Sequence, residues 1–435
     1  MNAGHELLAR VWAELGADPR ALDDVVHPSV PVPLPSRLST GELAWASVGA
    51  ATLTAGRHPS SLDPDRIAVA YRSDHVLAID SASPPVWSPF SGFWRASDGW
   101  IRTHGNYPHH AAGLRTGLRL PVGAGAEQVR DAVAERSCAE AVAAIVAARG
   151  LAVPVLRDDP VDDGARRRAP LLDIGRVEAQ RGPRRDVPGG EALPLDGIRV
   201  LDLTRVIAGP VCTRTLALFG ADVLRIDPPE LPEPEWQHLD TGHGKRSARL
   251  DAHSERFHEL LAEADAVVLG YRPAALDRLG LGIDALHERY PGLVVAQLSA
   301  WGADRAERAG FDSLVQAESG IALVESPNGD RPGALPAQAL DHSAGYLLAA
   351  AVTTLLRRRA REGGSWSVQT SLRRIAAELL GMPRRDEPAP GVSIDLARHT
   401  ARFLVDGSEL QTARPAISGL EFASPRPWGR DQPRW

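Results

Sequence analysis

Ile198-Arg-Val-Leu-Asp-Leu203, Thr204-Arg-Val-Ile-Ala-Gly-Pro210 and Val211-Cys-Thr-Arg-Thr-Leu-Ala-Leu-Phe219 follow one another without a break. The first is a short apolar run with the composition of a parallel strand buried on both faces. The last reads as the helix behind that strand, and the segment between them is a tight turn with Pro at the helix start. Gly220-Ala-Asp-Val-Leu-Arg-Ile-Asp227 supplies the next strand, which completes a β-α-β unit. Outward from there the alternation continues through helix 255–264, strand 266–269, helix 274–279 and strand 293–299. A long apolar helix over 345–358 follows, and Gly363-Gly364 separates it from strand-like residues 365–368. This is the pattern of a doubly wound, Rossmann-like α/β half with a parallel sheet.

The rest of the chain is organised differently. Residues 1–40 hold one amphipathic helix (Leu7, Leu8, Val11, Trp12, Leu15) and a Pro-rich connector. Residues 41–175 predict a smaller α+β domain. Its marks are a helix over 42–55, a strand at 76–79, and a hairpin in Gly92-Phe-Trp-Arg-Ala-Ser-Asp-Gly-Trp-Ile-Arg-Thr103 that turns at Ser97-Asp-Gly99, with helices near 126–136 and 139–149 beyond it. Residues 176–193 form a Gly/Pro/Arg-rich linker, 194–380 the Rossmann-like half, and 381–435 a tail draped over the surface.

Composition bounds the function. The 435 residues exceed the size of one hydrophobic core, and a net charge of −6 opposes a nucleic-acid-binding stripe. Cys138 and Cys212 are too few for a disulfide framework or a zinc cage, so a reducing, cytoplasmic setting and no metal are expected. No apolar run reaches the roughly 18–20 residues of a membrane span, and the N-terminus lacks a signal-like apolar core, so no membrane partner is expected.

In a β-α-β unit, anionic ligands dock at the turn after the first strand, where free N–H groups and the helix dipole converge. Here the turn 204–210 lacks the G-x-G-x-x-G spacing of dinucleotide sites, although Asp227 stands where a ribose-binding acid would lie in a nicotinamide dehydrogenase. Lys245 is the only lysine in the chain, within Gly242-His-Gly-Lys-Arg-Ser247. A lysine is a mobile point charge suited to a phosphate or a carbonyl oxygen, so Lys245 is a candidate ligand contact; codon drift explains it equally. The histidines between His104 and His110 have no acidic partners at metal-like spacing and are assigned to a hairpin exit loop.

Four blocks, Pro194–Pro210, Gly220–Asp227, Gly244-Lys-Arg-Ser-Ala-Arg-Leu-Asp251 and Arg272-Pro-Ala-Ala-Leu-Asp-Arg-Leu-Gly280, occur in the order in which class III coenzyme A transferases (the CaiB/BaiF family) carry similar ones. The resemblance continues through Gly310-Phe-Asp-Ser-Leu-Val-Gln-Ala317, Ala339-Leu-Asp-His-Ser-Ala-Gly-Tyr346 and Gly363-Gly-Ser-Trp-Ser-Val368. It implies a CoA transferase that moves CoA between an acyl-CoA donor and a small carboxylic acid, with CoA as substrate and no permanently bound cofactor. Asp341 matches the aspartate that attacks the thioester, forming a mixed anhydride and then an aspartyl-CoA thioester. Taken alone, Asp341 is also a candidate N-cap of the 345–358 helix, with Ser343 competing. Asp312 matches an acidic residue near the reacting centre. Val206, Ala208, Lys245, Tyr271 and Arg278 match the CoA contacts, while Arg278 alone reads equally as a helix-end arginine. Racemases of 2-methylacyl-CoA carry a similar block with His in place of Phe311, so a racemase-like enzyme is an alternative, as is an acyl-CoA-binding protein without turnover.

The N-terminal half also resembles the family's smaller domain, which ordinarily follows the CoA-binding half. The halves therefore stand in reordered sequence. Family members are interlocked homodimers, which implies a homodimer here.

Overall fold

The computed structural model describes residues 2–178 and 193–435, so the 176–193 linker lies largely outside the described residues. The first strands are β1 (Ala78–Ile79), β2 (Phe93–Arg95), β3 (Trp100–Thr103) and β4 (Ala152–Pro154). β2, β3 and β4 make an antiparallel sheet. Its hairpin closes where the Ser97-Asp98-Gly99 turn was expected, with the Ala96 N–H donating to the Gly99 carbonyl at 2.9 Å. Around it, helices Pro108–Gly117, Ala126–Ala134 and Cys138–Ala147 bury Leu114, Val129, Val133 and Ile145 against Ile101.

Seven strands form the main sheet: β5 (Asp173–Val177), β6 (Arg199–Leu203), β7 (Asp222–Asp227), β8 (Lys245–Arg249), β9 (Ala266–Leu269), β10 (Val294–Ser299) and β11 (Ser365–Ser371). Their order is β5-β11-β10-β9-β6-β7-β8, and every pairing is parallel except β5 against β11. The chain winds outward from β6 through β7 and β8 on one side, then returns to wind outward from β9 on the other. The gap between the carboxyl ends of β6 and β9 is therefore the topological switch point, where open α/β sheets bind ligands.

Helix Ala339–Glu362 is long and apolar enough to cross a membrane, a feature the reading of apolar runs passed over. It is buried inside the protein and is a core helix. It packs on helices Ala208–Leu218 and Thr40–Thr54, so residues 40–54 join the core of the larger half. A Cβ on Gly345 would stand 2.7 Å from the Ala208 carbonyl oxygen and from Val211 Cβ; only glycine lets these helices approach so closely.

Residues 381–435 do more than drape over the surface. They contribute β12 (Thr400–Val405) and β13 (Ser408–Ala413), with β13 pairing to β1. Asp406 and Gly407 both have positive φ (51° and 90°), the conformation of a two-residue hairpin turn. Residue 76 likewise belongs to a helical turn, Ser73–Val76, rather than to a strand.

Candidate active site

The turn after β6 is built around Asp202. Its Oδ1 accepts the Thr204 N–H (3.0 Å) and hydroxyl (2.5 Å), and its Oδ2 accepts the Thr213 hydroxyl (2.6 Å) and Lys245 Nζ (3.0 Å). Lys245 also donates to the Pro210 carbonyl (2.9 Å) and to Thr213 Oγ1 (2.5 Å). An ammonium has three donors, and all three are engaged inside the protein. This departs from the expectation that Lys245 contacts ligand: its side chain is wholly buried and does not line the cavity at the switch point. The lysine fixes the turn instead. Burial lowers its pKa to about 8 despite Asp202 beside it, so it remains mostly charged at neutral pH.

The turn carries strain. Val206 has φ +72°, a left-handed conformation that costs a β-branched residue about 1–3 kcal/mol. Its N–H donates to Glu233 Oε1 at 2.7 Å, which holds the conformation in place. Glu233 in turn meets the buried Arg225, whose guanidinium forks onto Asp227 at 2.8 and 2.9 Å. Trp428 from the C-terminal segment donates to Asp227 Oδ2 at 2.8 Å. The Asp227 side chain is fully buried and occupied, so it offers no acceptor to a nicotinamide ribose.

At the switch point a cavity of about 290 Å³ opens. Val206, Ala208 and Tyr271 line it, and Arg205 and Arg272, neighbours of two of those residues, bring positive charge. Arg278 does not reach it. That side chain is 57% exposed and paired with Glu307, because helix Pro273–Arg278 carries it a turn and a half away from Arg272. Asp341 lines the cavity and is the only acid among the described residues that do so.

Asp341 and Asp312 form the acidic centre. Helix Ala339–Glu362 begins six residues before the sequence pattern suggested, so Gln338 holds the cap position and Asp341 lies in the first turn. Neither Asp341 nor Ser343 caps it. The carboxylate of Asp312, on helix Asp312–Glu318, does that from outside: Oδ2 accepts the Asp341 N–H at 2.9 Å and Oδ1 accepts Gln316 Nε2 at 2.5 Å. Asp312 is thus spent on structure behind Asp341 and does not line the cavity. Burial, and then the charge of Asp312, push the Asp341 carboxyl well above its ordinary range. The helix N-terminus favours the anion and opposes that shift.

The N-terminal half closes the site. Tyr107, His109 and His110, from the loop and helix after β3, line the same cavity. His104 stacks on Phe311 with ring centroids 3.9 Å apart, and buried Arg102 lies over the rings of Trp87 and Phe93. The spacing of these histidines in the sequence predicts an exit loop after the hairpin. Their position is right, but the loop faces the switch point, a relation between distant segments that spacing along the chain does not encode.

A parallel α/β half with an acid at the N-terminus of its core helix, facing the sheet's switch point, defines a class of site; the particular family comes from comparison. Residues 195–391 match the model of CoA-transferase family III. A probable fatty acyl-CoA transferase of Mycobacterium tuberculosis is 33% identical over 227 residues, covering 46% of this chain and 57% of the relative. A formyl-CoA:oxalate CoA-transferase of Rhodopseudomonas palustris is 29% identical over 210 residues, covering 44% of this chain and 49% of its own. A crystal structure of that M. tuberculosis protein shares 33% identity over 43% of this chain and 57% of its own, with a TM-score of 0.40. A CAIB/BAIF family protein from Brucella suis shares 26% identity over 45% of this chain and 60% of its own, also with a TM-score of 0.40. The chain thus spans about half the length of the curated relatives it matches.

Proposed function

We propose that this protein moves coenzyme A between an acyl-CoA and a free carboxylic acid, with Asp341 as the nucleophile. One observation carries the reading: Asp341 is the lone acid of a cavity that has Arg205 and Arg272 among its lining and lies at the switch point of the sheet. The cavity volume suits the pantetheine arm of CoA, and the two arginines offer charge to its phosphates.

In the first step an oxygen of ionised Asp341 bonds to the thioester carbon as the C–S bond breaks, giving a mixed anhydride and CoA thiolate. The thiolate then attacks the aspartyl carbonyl and releases the acyl group as a free carboxylate, which leaves an aspartyl-CoA thioester. An acceptor carboxylate repeats the two steps in reverse and leaves as its own CoA ester. Each tetrahedral stage needs donors for an oxyanion, and the N–H groups of Ala208 and Gly209, at the start of helix Ala208–Leu218, are the candidates. Asp312 positions Asp341 through its backbone N–H. Val206, Ala208 and Tyr271 flank the CoA arm.

Hydroxylamine added with acyl-CoA converts an aspartyl thioester or anhydride into a hydroxamate. Peptide mass mapping should place it on Asp341, and an enzyme that exchanges CoA without any label there overturns the covalent route. We further propose that the reordered halves complete the site within one chain, since Tyr107 and Asp341 line one cavity. Exchange activity per chain should then be independent of protein concentration across any monomer–dimer transition seen by light scattering.

A further inference from the structure

A second cavity, of about 30 Å³, continues past Asp341 and shares Tyr107, Val206, Ile207, Phe311 and Asp341 with the first. A water-sized atom needs about 10–15 Å³ of such space, so two or three non-hydrogen atoms fill it. Its walls combine Val86, Trp87 and Trp236, apolar over most of their surface, with the polar side chains of His104, Asn106, Gln237 and Gln338, and Asp74 lines it as the second acid beside Asp341. Asp74 belongs to the turn Ser73–Val76 and is 8% exposed.

No side chain among the described residues donates a hydrogen bond to the Asp74 carboxylate: the backbone N–H groups of Asp74 and His75 are its donors, and the imidazole of His75 stands 3.9 Å from it and is half-exposed. The neighbouring Asp240 is provided for differently: it accepts the Ser73 hydroxyl at 2.7 Å and faces Arg214 at 3.8 Å. Burial pushes the Asp74 carboxyl up to about 6, with His75 opposing the shift and Asp240 adding to it. A buried carboxylate that lacks a strong partner is costly, and a donor brought by a ligand would relieve that cost.

We propose that Asp74 is a specificity residue of the transferase. It selects short acids that carry a hydroxyl or ammonium donor two or three atoms beyond the carboxyl carbon, with the carboxyl end at Asp341 and the donor at Asp74. Trp87 and Trp236 limit the chain length. This inference rests on the reading of Asp341 as the nucleophile. A site built to hydrogen-bond a substrate group discriminates strongly against the analogue that lacks it, because its own polar atom is then left unpaired.

The test uses the full chain with acetyl-CoA as donor and 3-hydroxypropanoate, β-alanine and propanoate as acceptors. The wild type should prefer one or both donor-bearing acids over propanoate by about tenfold or more in kcat/KM. Asp74→Leu should collapse that ratio. Asp74→Asn should keep discrimination for the hydroxyl acid while losing it for the ammonium acid, which separates the two donors. Equal use of all three acids by the wild type overturns the inference while leaving the transferase reading intact, as does a ratio that survives Asp74→Leu. Absence of CoA exchange with any of the acids, together with absence of hydroxamate on Asp341, overturns the reading on which it rests. Should Asp74→Leu fail to fold, the wild-type ratio and the isosteric Asp74→Asn still decide.

Discussion

Two buried acids, Asp341 lining the cavity and Asp202 behind the turn that borders it, are treated in opposite ways. Asp202, behind the turn after β6, is surrounded by a lysine and two threonines that fill its oxygens. Asp341, at the head of the core helix, faces a second carboxylate instead. Opposite charge behind the turn makes a rigid mount, and like charge behind Asp341 keeps it basic. Buried charge can thus serve either geometry or reactivity, and the partner decides which.

The largest effect should come from breaking the reactive member. Asp341→Asn should lower CoA exchange by about 10³-fold or more while leaving the denaturation midpoint near that of the wild type. Retention of most activity would make Asp341 a structural acid like Asp202. Breaking the rigid member should show in stability. Lys245→Ala strands Asp202 in the interior and should cost about 3–5 kcal/mol by urea denaturation, and pairing Lys245→Met with Asp202→Asn should recover much of it. Lower CoA affinity at unchanged stability would restore Lys245 as a direct ligand contact.

A smaller change sharpens the contrast through pH. Asp341 must be ionised to attack, so exchange should rise with pH through its raised pKa. Asp312→Asn removes the like charge, and the acid limb of the rate profile should move to lower pH. The same variant should lose about 1–3 kcal/mol of stability. The reason is that Gln316, held by accepting the Leu335 N–H at 2.9 Å, cannot turn to welcome a new amide. An acid limb that stays in place would mean that burial alone sets Asp341. The smallest expected effect is at the cavity's cationic lining. Arg272→Ala should weaken CoA binding by calorimetry by about tenfold, with little change in stability, since its partner is only an exposed carbonyl of Glu307 at 3.2 Å.

Much of the larger half was legible because its signals are local. The apolar run at 198–203 and the Gly-Pro turn are complete within a few residues, and the strand–helix alternation read from them matches five of the seven strands of the sheet, while Asp173–Val177 and Lys245–Arg249 lack a comparable apolar run. The β12–β13 hairpin was legible too, through Asp406-Gly407 between two short runs, but the surrounding Pro and Arg content masked it. Helix Ala339–Glu362 was drawn too short at both ends, because its first turn is capped by Asp312 from another helix and so carries no cap signal of its own. Val206, Ala208, Tyr271 and Asp341 line the cavity, whereas Lys245 and Arg278 do not. A motif block marks a neighbourhood; which side chain turns toward the ligand depends on helix phase and on buried partners.

The sequence by itself determined the β-α-β alternation and put an aspartate near the start of the core helix; the strand order, and with it the switch point, came from the pairing of β6 with β9. Strand and helix periods are properties of neighbouring residues, so no distant contact was needed to read them. Only the tertiary structure decided that the single lysine points inward at Asp202, that Asp312 serves as the cap of another helix, and that residues 102–110 close over a cavity some two hundred positions downstream. Those facts depend on which groups meet across the fold, where burial and the sign of the nearest charge determine what each side chain can do.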